Sequence, residues 1–220
     1  MKDYEKLDVD NIVEKFLSPS EVRRLFDKAL LPDKVLTGEV EGIPNYEPTY
    51  AKKRLQFLLK MLYYTGQRPI SVLKLQKKDI THNPKDGWRI HIDPVKKQKQ
   101  HHIPIAKDLF DDLMKWIAPL DPDHYLFHPE YSPSKQISKH TIVTQGKALF
   151  GSYNKGKDFK DDRKEWVSFY TLRHSAATNI LAATGSLKLA GTLLNHSNSQ
   201  MTERYAKVLD SAIQGAVDGL

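Results

Sequence analysis

The sequence predicts a mixed α/β fold, mainly α-helical, with one small antiparallel β-sheet at an edge. Apolar residues recur at helical spacing through most of the 220 residues. Only two short stretches, 88–93 (WRIHID) and 101–105 (HHIPI), read as strands, and the turn between them, PVKKQKQ, makes them a hairpin. A hydrophobic content of 40% is enough to fill a core in a chain of this length.

Each element has its own signal. Residues 1–17 read as a polar arm or linker, and 18–220 as a single domain. Ser18-Pro19-Ser20-Glu21 is a helix start: serine caps, proline suits the first turn, and glutamate closes a capping box. Val22, Leu25, Phe26, Ala29 and Leu30 then mark a buried face. Three prolines and two glycines make 31–48 a long loop. A second helix is predicted from Thr49 to Tyr64, stopped by Thr65-Gly66, with a short helix around Pro69–Leu75 after it. Further helices are predicted at 108–117, 139–150, 171–184 and 187–194, with a final pair at 199–209 and 211–218. Residues 119–138 read as loop, and 151–166 as an exposed loop of mixed charge.

Composition narrows the chemistry. Lysine and arginine total 34 against 27 acids, a formal charge of +7, which suits a polyanionic partner that releases counterions on contact. The absence of cysteine removes disulfides, thiol catalysis and cysteine-based zinc sites. The charged N-terminal stretch lacks the apolar core of a signal peptide, and no apolar run approaches a membrane span, so a cytoplasmic, nucleoid-associated location is the expectation. No P-loop, dinucleotide fingerprint or triad of acids suited to a metal-dependent transposase is present.

Three segments stand out together. They are TGQRPISVLKLQKKDI (65–80), the basic hairpin with Lys96, Lys97 and Lys99, and YTLRHSAATNILAATGSLKLAGTLLNHSNSQMTERYAKV (170–208). The first resembles the TG-x-R-x-x-E-x-x-x-L-x-x-x-D box of the tyrosine recombinase (phage integrase) family. The third resembles that family's H-x-L-R-H, L-G-H and T-x-x-x-Y boxes. Arg173 precedes His196 by 23 residues and His196 precedes Tyr205 by 9, intervals that suit the family, and the similarity runs from about Ser18 to Val208. Singly, each residue has an ordinary explanation: a capping arginine, a solvated lysine, a satisfied core histidine, a packing tyrosine. The shared order and spacing decide against those readings.

The resemblance implies the catalytic fold of the DNA breaking-rejoining enzymes and site-specific recombination through a 3′-phosphotyrosyl intermediate. Arg68 and Arg173 would then bind the non-bridging phosphate oxygens, a task suited to permanently charged, forked donors. Lys96, eight residues before Pro104, would protonate the leaving 5′ oxygen, with Lys97 as the alternative and Lys99 less favoured. His196 would bond the scissile phosphate and Tyr205 would attack it. The scheme needs no metal and no other cofactor. Its partners would be double-stranded DNA, contacted also by Lys97, Lys99 and His174, and further copies of the chain on paired sites; no membrane is involved.

Three positions depart from the family pattern: Tyr170 replaces the usual histidine, Ser71 a glutamate and Asn195 a glycine. Tyr170 shares a helix face with Arg173 and can donate a hydrogen bond, but a phenol titrating near about 10 is a poor proton acceptor at neutral pH. His174 is expected to point elsewhere on that helix. Relatives carry a helical core-binding domain ahead of the catalytic one, and this chain, with its first helix by Ser18, is expected to lack it. Two other functions fit the motifs less well: a silent integrase-like DNA-binding module and a type IB topoisomerase-like strand transferase.

Overall fold

Ser18 opens the first helix by the chemistry its sequence advertises. In the computed structural model, which describes residues 15–93, 100–159, 161–162, 165–196, 202–203, 205–207 and 209–210, its hydroxyl accepts the Glu21 N–H at 3.3 Å. The Glu21 carboxylate in turn accepts the Ser18 N–H at 2.8 Å. Such a reciprocal cap is worth about 1 kcal/mol. Helix α1 (Pro19–Ala29) buries Val22, Leu25, Phe26 and Ala29 against α3 (Tyr50–Thr65). The chain just before it is not a free polar arm. Leu17 is buried, its N–H donates to Ser175 Oγ at 2.8 Å, and its carbonyl accepts from Asn179 Nδ2 at 3.0 Å.

Helix α3 is the central element, with Leu55, Leu58, Leu59, Met61 and Leu62 inaccessible to solvent. Full burial of each such side chain contributes about 1.5–3 kcal/mol. The predicted loop 31–48 contains one further short helix, α2 (Asp33–Leu36). After α4 (Pro69–Leu73) and a single 3₁₀ turn (Lys77–Asp79) the chain enters the sheet.

That sheet has three antiparallel strands, β1 (Ile80–Asn83), β2 (Gly87–Ile92) and β3 (His101–Pro104), in the order β1-β2-β3. Ile80 pairs with Ile90 and Ile90 with Ile103, so one row of isoleucines faces the core. The hairpin between β2 and β3 is as predicted; β1 was not predicted. Helix α5 (Lys107–Ile117) follows, and α6 (Lys139–Tyr153) runs three residues into the stretch read as loop. Helix α7 (Phe169–Thr184) packs on α3, and α8 (Leu187–Leu193) packs on α7.

Beyond α8, residues 202–203, 205–207 and 209–210 are helical. They belong to a second, smaller core in which Tyr205 lies against Ala177, Leu181 and Leu194. The predicted helix 211–218 and the start of the one at 199 lie outside the described residues.

Candidate active site

Arg173 organises the site. It projects from α7 into the interior and is 5% exposed. A guanidinium taken out of water must find acceptors, and here they are main-chain carbonyls at the ends of two other helices. One nitrogen donates to the Gly66 carbonyl at 2.6 Å; the other donates to the Leu194 carbonyl at 3.0 Å and to His196 Nε2 at 3.0 Å. Three parts of the chain far apart in sequence are thereby tied to one charge.

Gly66 makes that approach possible. It ends α3 in the left-handed region at φ 63°, and a Cβ there would sit 3.0–3.1 Å from the side chains of Leu193 and Leu194. Gln67 closes the same junction, donating to the Leu193 carbonyl at 2.7 Å and to the Thr65 carbonyl at 3.1 Å. His101, the first residue of β3, also bonds the Leu193 carbonyl through Nε2, at 3.3 Å. Burial pushes the His101 pKa down, with His102 and Arg173 adding to the shift and the Leu193 carbonyl opposing it.

His196 is placed by the way α8 ends. Asn195 takes φ 52°; its N–H reaches the Thr192 carbonyl and the His196 N–H reaches the Gly191 carbonyl, both at 3.0 Å. This is a Schellman motif, whose left-handed residue is most often glycine and sometimes asparagine. The departure from glycine at 195 is thus conformationally sound. An arginine only donates, so His196 Nε2 is the acceptor and the ring proton sits on Nδ1, which donates to Thr202 Oγ1 at 2.9 Å. Thr202 is itself buried, and Gly191 leaves it room: a Cβ at 191 would lie 3.0 Å from its Oγ1. Beside this corner an open pocket of about 570 Å³ is lined by His101, Lys188, Gly191, Thr192, His196 and Thr202.

Tyr205 is 2% exposed. Its ring lies nearly parallel to that of His196, with 6.3 Å between centroids and 13° between planes. Its hydroxyl lies 3.3 Å from His174 Nδ1. His174 therefore does not point away from Tyr205. One position past Arg173 on α7, it turns to the side where Tyr205 lies.

Arg68 occupies the position just before α4, two residues beyond Gly66, and is half-buried. Tyr170 is 48% exposed on the first turn of α7 and makes no hydrogen bond to another described residue. Ser71, standing where glutamate is usual, is buried within α4. Lys96, Lys97 and Lys99 lie outside the described residues. The structure thus brings Arg173, His174, His196 and Tyr205 into one cluster, sets Arg68 on the adjoining loop, and leaves Tyr170 at the rim. Gln67, His101 and Thr202 join the cluster without having been singled out; Gln67 and Thr202 lie inside the quoted boxes, and His101 carries no signal beyond its place at the start of a strand. Among the described residues no group of three or more histidines and acids is placed to hold a metal.

The chain is similar to several known proteins. A tyrosine recombinase of Pseudothermotoga lettingae is 25% identical over 218 residues, covering 96% of this chain and 66% of its own length. The tyrosine recombinase XerA of Thermococcus kodakarensis is 27% identical over 194 residues, covering 87% of this chain and 62% of its own. The chain thus spans less than two thirds of these relatives' length. Among solved structures, XerH bound to a palindromic difH substrate superposes with a TM-score of 0.66 at 18% identity, covering 96% of this chain and 54% of XerH. The catalytic domain of bacteriophage HP1 integrase superposes with a TM-score of 0.51 at 18% identity, over 92% of this chain and 93% of that domain. These likenesses show the fold. The sequence profile of the phage integrase family matches residues 34–212, which take in every side chain of the Arg173 cluster, and the chain belongs to that family.

Proposed function

We propose that this chain is the catalytic unit of a site-specific recombinase, cutting and rejoining duplex DNA through a 3′-phosphotyrosyl link to Tyr205. The observation that carries the reading is the direct Arg173–His196 hydrogen bond with the Tyr205 ring stacked beside it. Phosphodiester transfer demands positioned positive charge more than elaborate covalent chemistry. Arg173, with Arg68 on the adjoining loop, supplies that charge. His196 would bond a phosphate oxygen by giving up one of its present partners, Arg173 or Thr202, and donating an N–H to the phosphate once DNA is bound. Lys96 is the proposed proton donor to the leaving 5′ oxygen, with Lys97 and Lys99 on the same turn contacting DNA. Residues 18–220 form the domain that does this, and pairs of sites would be held by several copies of it.

The test is a denaturing-gel assay for covalent protein–DNA complex on nicked suicide duplexes, comparing wild type with Tyr205→Phe. A shifted band with wild type that vanishes in the variant is the expected result. No band from either protein on DNA shown to be bound would favour the silent DNA-binding module. Plasmid relaxation with no recombinant product would favour the topoisomerase-like enzyme.

A further inference from the structure

Two histidines flank Tyr205, and their nitrogens are committed differently. His196 directs Nε2 at Arg173 and Nδ1 at Thr202, and its ring lies nearly parallel to that of the phenol. His174 presents Nδ1 to the phenol oxygen at 3.3 Å, its ring tilted 44° to that of the tyrosine. We propose that His174 is the group that takes the Tyr205 proton as the nucleophile attacks and returns it on rejoining. The inference rests on the transesterification reading above.

A neutral phenol is a weak nucleophile, and an imidazole is a much weaker base than a phenolate. As the Tyr205 Oη–phosphorus bond forms, that oxygen loses its basicity and the transfer to His174 Nδ1 becomes downhill. The bond from phosphorus to the 5′ oxygen breaks in the same displacement, and that oxygen takes its proton from the basic hairpin. In the reverse direction the 5′ hydroxyl attacks and gives its proton back to the basic hairpin, while the leaving phenolate takes the proton held by the His174 imidazolium. Charge and atoms balance with no further reactant. Tyr170 cannot replace this service: it is 48% exposed and, as a phenol, accepts protons poorly near neutral pH.

Two measurements on the full chain decide the matter. Without DNA, nitrogen NMR of histidine-labelled protein reads the His174 tautomer: the proposal requires a bare Nδ1 accepting from the phenol, and an Nδ1–H tautomer donating to it would overturn the idea. For the reaction, nicked suicide duplexes of randomised sequence are captured covalently on wild type, and the captured sequence is resynthesised as the probe. His174→Asn keeps an acceptor near the Nδ1 position but cannot take the proton; cleavage is expected to fall about 100-fold. Replacing Tyr205 in that variant by a fluorinated tyrosine that ionises near neutral pH should restore at least tenfold of the loss, because a base is no longer needed. A His174→Asn variant at full speed would reduce His174 to a positioning residue, and a slow variant that the fluorinated phenol leaves slow would make its role structural; either result sinks the proposal with the recombinase reading intact. Failure of wild type to capture any duplex sinks that reading and this step with it, while the tautomer still reports the bond.

Discussion

Two arginines are buried in this molecule to almost the same degree, and they serve different ends. Arg54 on α3 is 4% exposed and Arg173 on α7 is 5% exposed. Both donate to main-chain carbonyls, Arg54 to that of His128. Arg54, however, lies over the Tyr50 ring, which stacks on Trp116, and its Nε has no hydrogen-bond partner among the described residues. Burial lowers its pKa, with Tyr50 opposing the shift. Arg173 instead bonds a histidine at the edge of an open pocket, beside a phenol. Burial and carbonyl bonding are common to both arginines; what sets Arg173 apart is its direct bond to a histidine that lines an open pocket.

Substitution separates the two directly, and this is the largest effect expected. Arg173→Ala should lower the rate of covalent-complex formation at least 100-fold, the scale of losing one preorganised donor to a transition-state oxyanion. It should also cost about 3 kcal/mol in urea unfolding, since buried carbonyls left without donors cost roughly 1–3 kcal/mol each. Arg54→Met should cost about 1–3 kcal/mol for the His128 carbonyl yet leave the rate per folded molecule unchanged. An inactive but folded Arg54→Met protein would break the distinction.

Gly66 tests whether the Arg173 corner depends on close backbone approach. Gly66→Ala places a side chain at φ 63° against Leu193 and Leu194. The left-handed conformation alone costs roughly 1–2 kcal/mol, and displacing Leu193 and Leu194 should move His196 and slow cleavage more than tenfold. Asn195 gives a smaller effect of the same kind. Asn195→Val should lose about 1–2 kcal/mol, while Asn195→Gly should unfold within about 1 kcal/mol of wild type and cleave at its rate. Thermal unfolding and the gel assay read both.

The smallest expected effect concerns pH. The His101 pKa is lower folded than unfolded, chiefly through burial. Between those two values the unfolded chain binds the extra proton, so stability rises with pH there. The contribution is whole above about pH 6.5, the unfolded value, and is lost as pH falls towards the folded one. His101→Gln should flatten the fall in urea midpoint between pH 7 and pH 5. An unchanged slope would remove His101 from the Arg173 corner's acid sensitivity.

Much of the fold was legible residue by residue. The Ser18–Glu21 box, the apolar face of α1, the Gly66 stop and the β2–β3 hairpin all rest on local rules: capping geometry, helical period, left-handed turns. Strand β1 escaped because Ile80 is its one buried residue; pairing with β2, not its own pattern, holds ITHN extended. Helix α2 is four residues inside a proline- and glycine-rich stretch, too short for periodicity to show. At the site, the order of Arg68, Arg173, His196 and Tyr205 along the chain named the family. Helical spacing relates Tyr170, Arg173 and His174 only to one another, and it could not say which of them would meet a segment arriving from thirty residues further on.

The identities and order of the chemical groups, the helix starts and stops, and the conformational need at Gly66 and Asn195 were written locally, because each depends on a few neighbouring residues. The carbonyl partners of Arg173, the tautomer of His196 and the pairing of His174 with Tyr205 were not. They arise where the ends of α3 and α8, Thr202 and Tyr205 converge on α7. Carbonyls are the same in every residue, and which of them a buried charge meets is settled by packing alone.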